Sequence, residues 1–351
     1  MNEKKLVVWY NADFAGCGYL RSIFPSDMLN MKYGSRKLYE GLISSRFLVD
    51  KNILSQAKVV HFQRQITPQQ ISYIEWVDKT RKEDKFQFSL QYDLDDNFAN
   101  IPQYNFAYNY YTSLPVAEGM KRITSVVDVF TVTTQEMADW VKSYGGSCEV
   151  KIIPNYVPKY VYRPYEWEKK KNAKPKVIWA GSPTHFNDDD PGDFKLIHDL
   201  VAGTIDDFDW VLVGFKHLPP WIKEFKGKIE TRTWYSIFDF PTELKKINAD
   251  FGVAPLIDNW FNRCKSNIKL LDYYSSDIIS FASDCPAYKD TAINFLSPDW
   301  KTTRDQMIDI FSSFTKTENM IELQRGVMNK YWMEDNVKVY LDDLFKLSVR
   351  E

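Results

Sequence analysis

The chain has 351 residues, 44% of them hydrophobic and 26% charged, which is more than one ordinary domain holds and too apolar for a disordered chain. With 45 Lys and Arg against 47 Asp and Glu, the formal net charge is -2, which excludes a protein that coats nucleic acid by bulk positive charge but leaves room for a local basic patch. Four scattered cysteines form no CxxC pair, so reduced thiols in a cytosolic setting are expected, and four dispersed histidines make no zinc pattern.

The opening MNEKKLVVWY runs from charge straight into a strand, so no secretory leader is expected. No apolar run reaches the roughly 18–20 residues of a membrane span. A soluble, cytoplasmic protein follows as the expectation. After the first strand, KLVVWY (5–10), comes a loop with Gly16 and Gly18. AKVVHFQ (57–63) repeats the strand pattern, and SYIEWVDKTRKE reads as an amphipathic helix. FQFSLQY (86–92), VVDVFTVTT (126–134) and CEVKIIPN (148–155) read as further strands, with the helix QEMADWVKSY before the last. Strands alternating with helices at this spacing predict a parallel sheet.

A stretch rich in Pro, Tyr and Lys then interrupts the pattern (157–175), and the alternation restarts with KVIWAGS, FDWVLVGF, GKIETRTW, ADFGVAPL and IISFAS. The predicted fold is α/β, with two Rossmann-like doubly wound domains facing a cleft. The expected boundaries are 1–160 for an acceptor-side domain, 161–175 for a linker and 176–325 for a donor domain. A C-terminal helix (326–351) would pack back on the first domain. One large mixed α/β domain is the alternative. The 21 Tyr and 23 Phe are read as core and cleft packing.

Four stretches can carry chemistry. In FNRCKSNIKLLDYY, Lys265, Ser266, Lys269 and Asp272 recur every three to four residues, so they share one helix face near its start. Free amides and lysines there suit a diphosphate, and Asp272 can accept from vicinal hydroxyls; an ion pair of Lys269 with Asp272 on a solvated face is the competing reading. In WAGSPTH, Gly181 and Ser182 offer a turn open to a phosphate, and His185 projects from the same loop. The following NDDDPGD reads as a hydrophilic loop. In GCGYLRS, Gly16, Gly18 and Tyr19 would let a substrate approach the backbone, and Arg21 would bring a charge to the cleft. There is no GxGxxG, so a nicotinamide or flavin cofactor is unsupported. In YDLDDNF, Asp93 and Asp95 form a DxD that either binds a divalent ion or ends a strand.

Taken in order, GCGYLRSIFP, HFQRQ, YDLDDNFANIP, VTTQEMADWV, IIPNYVP, WAGSPTH and APLIDNWFNRCKSNIKLLDYYSSDIISFASDCPAY resemble the GT-B glycosyltransferases, in particular the retaining type with a glycogen-synthase-like C-terminal domain. The similarity spans roughly residues 10–300. It implies no cofactor, a nucleoside-diphosphate sugar as donor with UDP favoured, and no catalytic metal. It makes Gly181 and Ser182 a loop under the donor phosphates, Lys265 and Ser266 diphosphate ligands, and Asp272 the counterpart of the second glutamate of an E-x7-E motif that holds the ribose. Cys264 stands where the first glutamate is expected, and the usual Arg and Lys after the first C-terminal strand are missing from GSPTHFNDDDPGDFK, so charge falls to Lys265, Arg263 or Lys216. Tyr92-Asp93 replaces a His-Asp pair of relatives.

The resemblance implies glycosyl transfer to a hydroxyl, with Asp93 or Asp95 stabilising the oxocarbenium-like centre or orienting the acceptor, and His185 a further catalytic candidate. Phage relatives modify hydroxymethylated pyrimidines in DNA and bacterial ones build surface polysaccharide; a phage enzyme would work in the host cytoplasm. A composition rich in Lys, Asn, Tyr and Phe favours the DNA acceptor, while the acidic balance favours a glycan. KKKNAKPK (169–176), with Arg163, is the candidate basic stripe. A metal-dependent GT-A enzyme using Asp93 and Asp95, and a non-catalytic nucleotide-sugar binder, remain as rivals.

Overall fold

A computed structural model describes residues 5–35, 39–44, 50–163, 171–340 and Phe345. The chain divides into two compact units. The first takes residues up to Ala99, Tyr111–Pro158 and the chain from Tyr331 onward; the second takes Asn100–Tyr110 and Lys159–Lys330.

The first unit is built on six parallel strands: β1 (Leu6–Tyr10), β2 (Glu40–Ser44), β3 (Ala57–Gln63), β4 (Ser89–Leu94), β5 (Val129–Val132) and β6 (Glu149–Ile152), in the order β2-β1-β3-β4-β5-β6. Strand order reverses between β1 and β3, which makes the carboxyl ends of those two strands the switch point. Helices on the faces bury both sides of the sheet, so Val7, Val8, Trp9 and Tyr10 are all inaccessible and β1 reads as one apolar run. The helix Pro68–Glu83 starts on a reciprocal cap between Thr67 and Gln70, with Pro68 in its first turn.

The second unit carries β7 (Lys176–Ala180), β8 (Asp209–Val213), β9 (Ile229–Arg232), β10 (Phe251–Ala254), β11 (Ile279–Ala282) and β12 (Asn294–Phe295), in the order β12-β11-β10-β7-β8-β9, again parallel. This is the Rossmann order, with its switch point between β7 and β10. Its core absorbs much of the aromatic content: Trp179, Phe186, Phe194, Trp210 and Phe215 lie in one buried cluster. Phe186 and Phe215 stack at 4.5 Å, and Trp179 meets Phe194 edge-on at 5.4 Å.

The doubly wound α/β expectation is borne out in both units. Two short edge strands, β2 and β12, escaped the pattern because neither is buried on both faces. The predicted strand 86–92 is displaced: β4 runs to Leu94, so Asp93 lies inside it. Of the basic stretch 169–176, residues 169 and 170 lie outside the described residues; Lys174 pairs with Asp209 at 3.0 Å, and Arg163 lies 3.8 Å from Asp277. In the predicted C-terminal helix, Met333–Asn336 is helical, and Trp332 bridges to Val157 within the first unit; residues 341–344 and 346–351 lie outside the described residues. Among the described residues no helix is long and apolar enough to cross a membrane.

Candidate functional site

In the second unit, the chain leaves β7 through Gly181, Ser182, Pro183, Thr184 and His185. A side-chain carbon at Gly181 would lie 2.5 Å from the Trp179 ring, and one at Gly214 would lie 2.0 Å from the Gly181 carbonyl oxygen. Gly214 also has φ +104°, so the ends of β7 and β8 approach as only glycine permits. The Gly181 amide donates to the Val213 carbonyl, Ser182 Oγ and Thr184 Oγ1 share a hydrogen bond of 2.7 Å, and the His185 amide donates to the Ser182 carbonyl. The turn predicted from Gly-Ser-Pro is therefore present at the switch point.

The chain leaving β10 supplies the other wall. Asn259 caps the short helix Trp260–Arg263, and the helix Ile268–Ser275 follows after Cys264, Lys265, Ser266 and Asn267. Lys265 and Ser266 thus precede the second helix rather than sit in its first turn. Asn267 places no side-chain oxygen on that helix's first amides. Lys269 and Asp272 lie on it one turn apart. Lys269 Nζ sits 5.3 Å from the centre of the Trp179 ring, is buried, and has no hydrogen-bond partner. Burial, and then the nearby Lys265, push its ammonium down to about 7 against the pull of Asp193 and Asp272. A hydrogen-bonded Lys269–Asp272 pair is not formed. Asp272 instead takes a hydrogen bond from Tyr162, and burial pushes its carboxyl up to about 8 against Tyr162 and Lys269. Cys264 is wholly buried. Arg263 is paired with Asp258 on the surface and Lys216 is exposed, whereas Lys269 and Lys265 act by their charge on His185 of this turn.

The stretch read as a hydrophilic loop holds a fully buried acid, Asp193. Its Oδ1 accepts from the Ile257 amide (2.8 Å), Asn262 Nδ2 (2.8 Å) and the Tyr104 hydroxyl (3.2 Å), and its Oδ2 lies 2.7 Å from His185 Nδ1. Tyr104 in turn accepts from Asn259 and Asn262. Gly192, at φ +51°, swings Asp193 back under His185 and packs against Tyr104. Burial alone would raise the Asp193 carboxyl, but the hydrogen bond from His185 and the Ile257 amide hold it below the usual range. Burial, then the charge of Lys269 and Lys265, push the His185 imidazole down to about 3 despite Asp193. Sequence reasoning missed Asp193, Asn262, Tyr104 and Tyr162; the Pro-Gly turn before Asp193 was the available signal.

In the first unit, the charged candidates Arg21, Asp93 and Asp95 are held in ion pairs. Arg21 is not a cleft charge: it forks onto Asp93, Nε to Oδ1 at 3.1 Å and Nη2 to Oδ2 at 2.6 Å, and its Nη1 reaches the Ile153 carbonyl and Asn155. Both side chains are 2% exposed. Thr131 Oγ1 donates to Asp93 Oδ2 at 2.6 Å, from the position opposite it on β5. Asp93 is thus a committed partner in the sheet, and both its oxygens are used; the DxD pair cannot close on one ion as the GT-A reading requires. Asp95 is buried with Oδ1 3.3 Å from Arg64 Nε, and Arg64 also holds Asp96 at 2.9 Å. Cys17, Asp95 and Asp96 bring ligand atoms within 4.8 Å of one another, but Arg64 already compensates the two acids there. Gly18 is required, since a side-chain carbon would lie 2.0 Å from the Asp13 carbonyl oxygen, whereas Gly16 is open. Tyr19 packs on Phe24 at 5.2 Å.

Neither a protein-family model nor a curated protein sequence matches the chain. Solved structures do. An alpha-glucosyltransferase in complex with UDP and a 13-mer DNA containing a HMU base is 10% identical, with 97% of this chain and 99% of that one covered and a TM-score of 0.65. Sucrose-phosphate synthase from Thermosynechococcus elongatus is 10% identical over 97% of this chain and 98% of its own, at 0.60. An O-GlcNAc transferase of Thermobaculum terrenum is 9% identical over 98% of this chain and 67% of its own, at 0.54. The chain has the fold of these GT-B glycosyltransferases, as the sequence resemblance implied.

Proposed function

We propose that this chain is a glycosyltransferase that uses a nucleoside-diphosphate sugar, with UDP as the favoured nucleotide, and that its acceptor is a hydroxymethylated pyrimidine in DNA. The observation that carries the donor half is Lys269: a buried ammonium with no hydrogen-bond partner, at the switch point of a Rossmann-ordered sheet, beside a turn that only glycine can make. A buried amine without a partner is costly unless an anion arrives to use it. A diphosphate fits the arrangement, with Lys265 and Lys269 as counter-charges, the turn at Gly181 and Ser182 beneath it, and the free amides after Ser266 as further donors. Asp272 would hold the ribose hydroxyls. The acceptor half draws its support from the DNA-bound alpha-glucosyltransferase, which is covered over nearly its whole length. The turn after β1, with Gly16, Gly18 and Tyr19, is the acceptor-side candidate.

As the bond between the anomeric carbon and the phosphate oxygen breaks, negative charge grows on the diphosphate, and donors aimed at it in advance lower the barrier. That is the work assigned to Lys265 and Lys269. Asp93, clamped by Arg21, shapes the first unit rather than meeting the sugar. A melting-temperature panel of UDP, GDP, CDP and ADP tests the donor: UDP at about 100 times its dissociation constant stabilises a binding protein by roughly 2.7 kcal/mol. Incubation of UDP-sugars with plain and hydroxymethylated duplexes, and with polysaccharide acceptors, then tests the acceptor. Transfer to a glycan alone would replace the DNA reading with surface polysaccharide synthesis; binding without either transfer or donor hydrolysis would make the protein a non-catalytic binder.

A further inference from the structure

The site contains a part that the diphosphate reading does not use. His185 stands on the turn after β7 and its Nδ1 is bound to Asp193 at 2.7 Å. Asp193 is itself seated by donors from three places in the sequence: Tyr104 from the Asn100–Tyr110 segment, Asn262 from the helix after β10, and the Ile257 amide. A fully buried carboxylate with this many donors is fixed in place, and it fixes whatever it accepts from. Among the described residues none hydrogen-bonds to His185 Nε2, and the side chain keeps 10% of its exposure. The charged groups that act on the ring are Lys269 and Lys265, which disfavour its protonation, and Asp193, which favours it.

We infer that Asp193 is a positioning residue for His185. It claims the Nδ1 proton, leaves Nε2 as the ring atom for a ligand, and lets Nε2 take a proton from solvent when a diphosphate binds. This rests on the proposed nucleotide site and adds a third cationic donor to it. In the empty site two lysines repel a proton from the ring. A bound diphosphate neutralises them, and the Asp193 carboxylate then favours the imidazolium. When the anomeric carbon–oxygen bond breaks, its electron pair goes to the phosphate oxygen, and Nε2–H donates a hydrogen bond to that oxygen without losing its proton. The arrangement is that of a carboxylate–imidazole pair turned toward the leaving group.

The chain has four histidines, so the imidazole nitrogens can be read individually by long-range proton–nitrogen NMR of histidine-labelled full-length protein near pH 6.5. His185→Gln assigns the signal by its disappearance. In the free protein the His185 ring is expected neutral with its proton on Nδ1; a proton on Nε2 would overturn the inference. With saturating UDP both nitrogens are expected protonated, while UDP binding with the ring still neutral would overturn the inference alone. No UDP binding at all would overturn the nucleotide reading and this inference with it. Asp193→Asn should abolish the change of ring charge on UDP binding, and Tyr104→Phe, which removes one hydrogen bond and is the milder variant, should weaken it. In the transferase assay Asp193→Asn and His185→Gln should each lower kcat by about 10²-fold, the usual loss for one pre-aimed donor, with a smaller effect on donor KM.

Discussion

Replacing Lys269 by methionine should make the empty protein more stable and the protein with nucleotide less so. The depression of its ammonium from 10.5 to about 7 corresponds to about 4–5 kcal/mol against the charged form. Methionine has a similar length and no charge, and replacing buried ionic groups by apolar ones of similar volume ranges from neutral to a gain of roughly 1–4 kcal/mol. Loss of the contact with the Trp179 ring, worth about 0.5–2 kcal/mol, offsets part of it. A net gain of up to about 3 kcal/mol remains, or a few degrees at about 2–4 °C per kcal/mol. The pH profile isolates the cause. Between about 7 and 10.5 the unfolded chain holds a proton that folded Lys269 has lost, so its contribution makes stability rise with pH across that window. Asp272 acts oppositely, its folded carboxyl holding an extra proton between 3.8 and about 8, so its contribution falls with pH there. From about 8 to 10.5 the rise belongs to Lys269 alone of the two, and Lys269→Met should lack it. Calorimetric melting of both proteins, with and without UDP, is the assay. A variant that melts lower than the wild type and keeps its UDP-dependent shift would refute the reasoning.

Removing one partner of the Arg21–Asp93 pair, as in Asp93→Leu, should cost about 3–5 kcal/mol in urea unfolding, because it strands a buried charge. The double change Arg21→Met with Asp93→Leu should recover much of that loss; equal losses in single and double variants would contradict a coupled pair. Gly214→Ala should destabilise by about 1–3 kcal/mol, since it combines φ +104° with a 2.0 Å approach to Gly181, and it should weaken UDP binding, measured by titration calorimetry. Treatment with a chelator should leave UDP binding and transfer unchanged, because Asp93 has both oxygens engaged by Arg21 and Thr131; loss of activity restored by manganese would reopen the DxD.

The fold was legible because central parallel strands are apolar on both faces: LVVWY, KVIWA and DWVLV announce themselves without neighbours. So was the turn after β7, since Gly181 and Ser182 end that strand in Gly-Ser-Pro; the close approach of Gly214 to Gly181 was not. The polar core of the site was not. NDDDPGD has the composition of a solvated loop, and only three-dimensional closure makes its last acid the most buried; its partners Tyr104 and Asn262 lie 89 and 69 residues away. The error at Asp93 has the same origin. One residue decides whether an acid ends a strand or sits within it, and the partner that settles the matter, Arg21, lies 72 residues upstream. The resemblance placed Asp272 beside a sugar, but local pattern gave no sign that Tyr162 already binds it.

The excursion of Asn100–Tyr110 into the second unit bears on how this protein can be taken apart. A fragment cut at 159–330 carries both lysines, both glycine turns and the whole second sheet, yet lacks the phenol that Asp193 leans on. Anyone wishing to express the second unit alone, or to graft it onto a foreign partner, must bring that short upstream stretch along. Sequence order and modular boundary do not coincide here, and the mismatch falls on the hydroxyl that steadies the histidine.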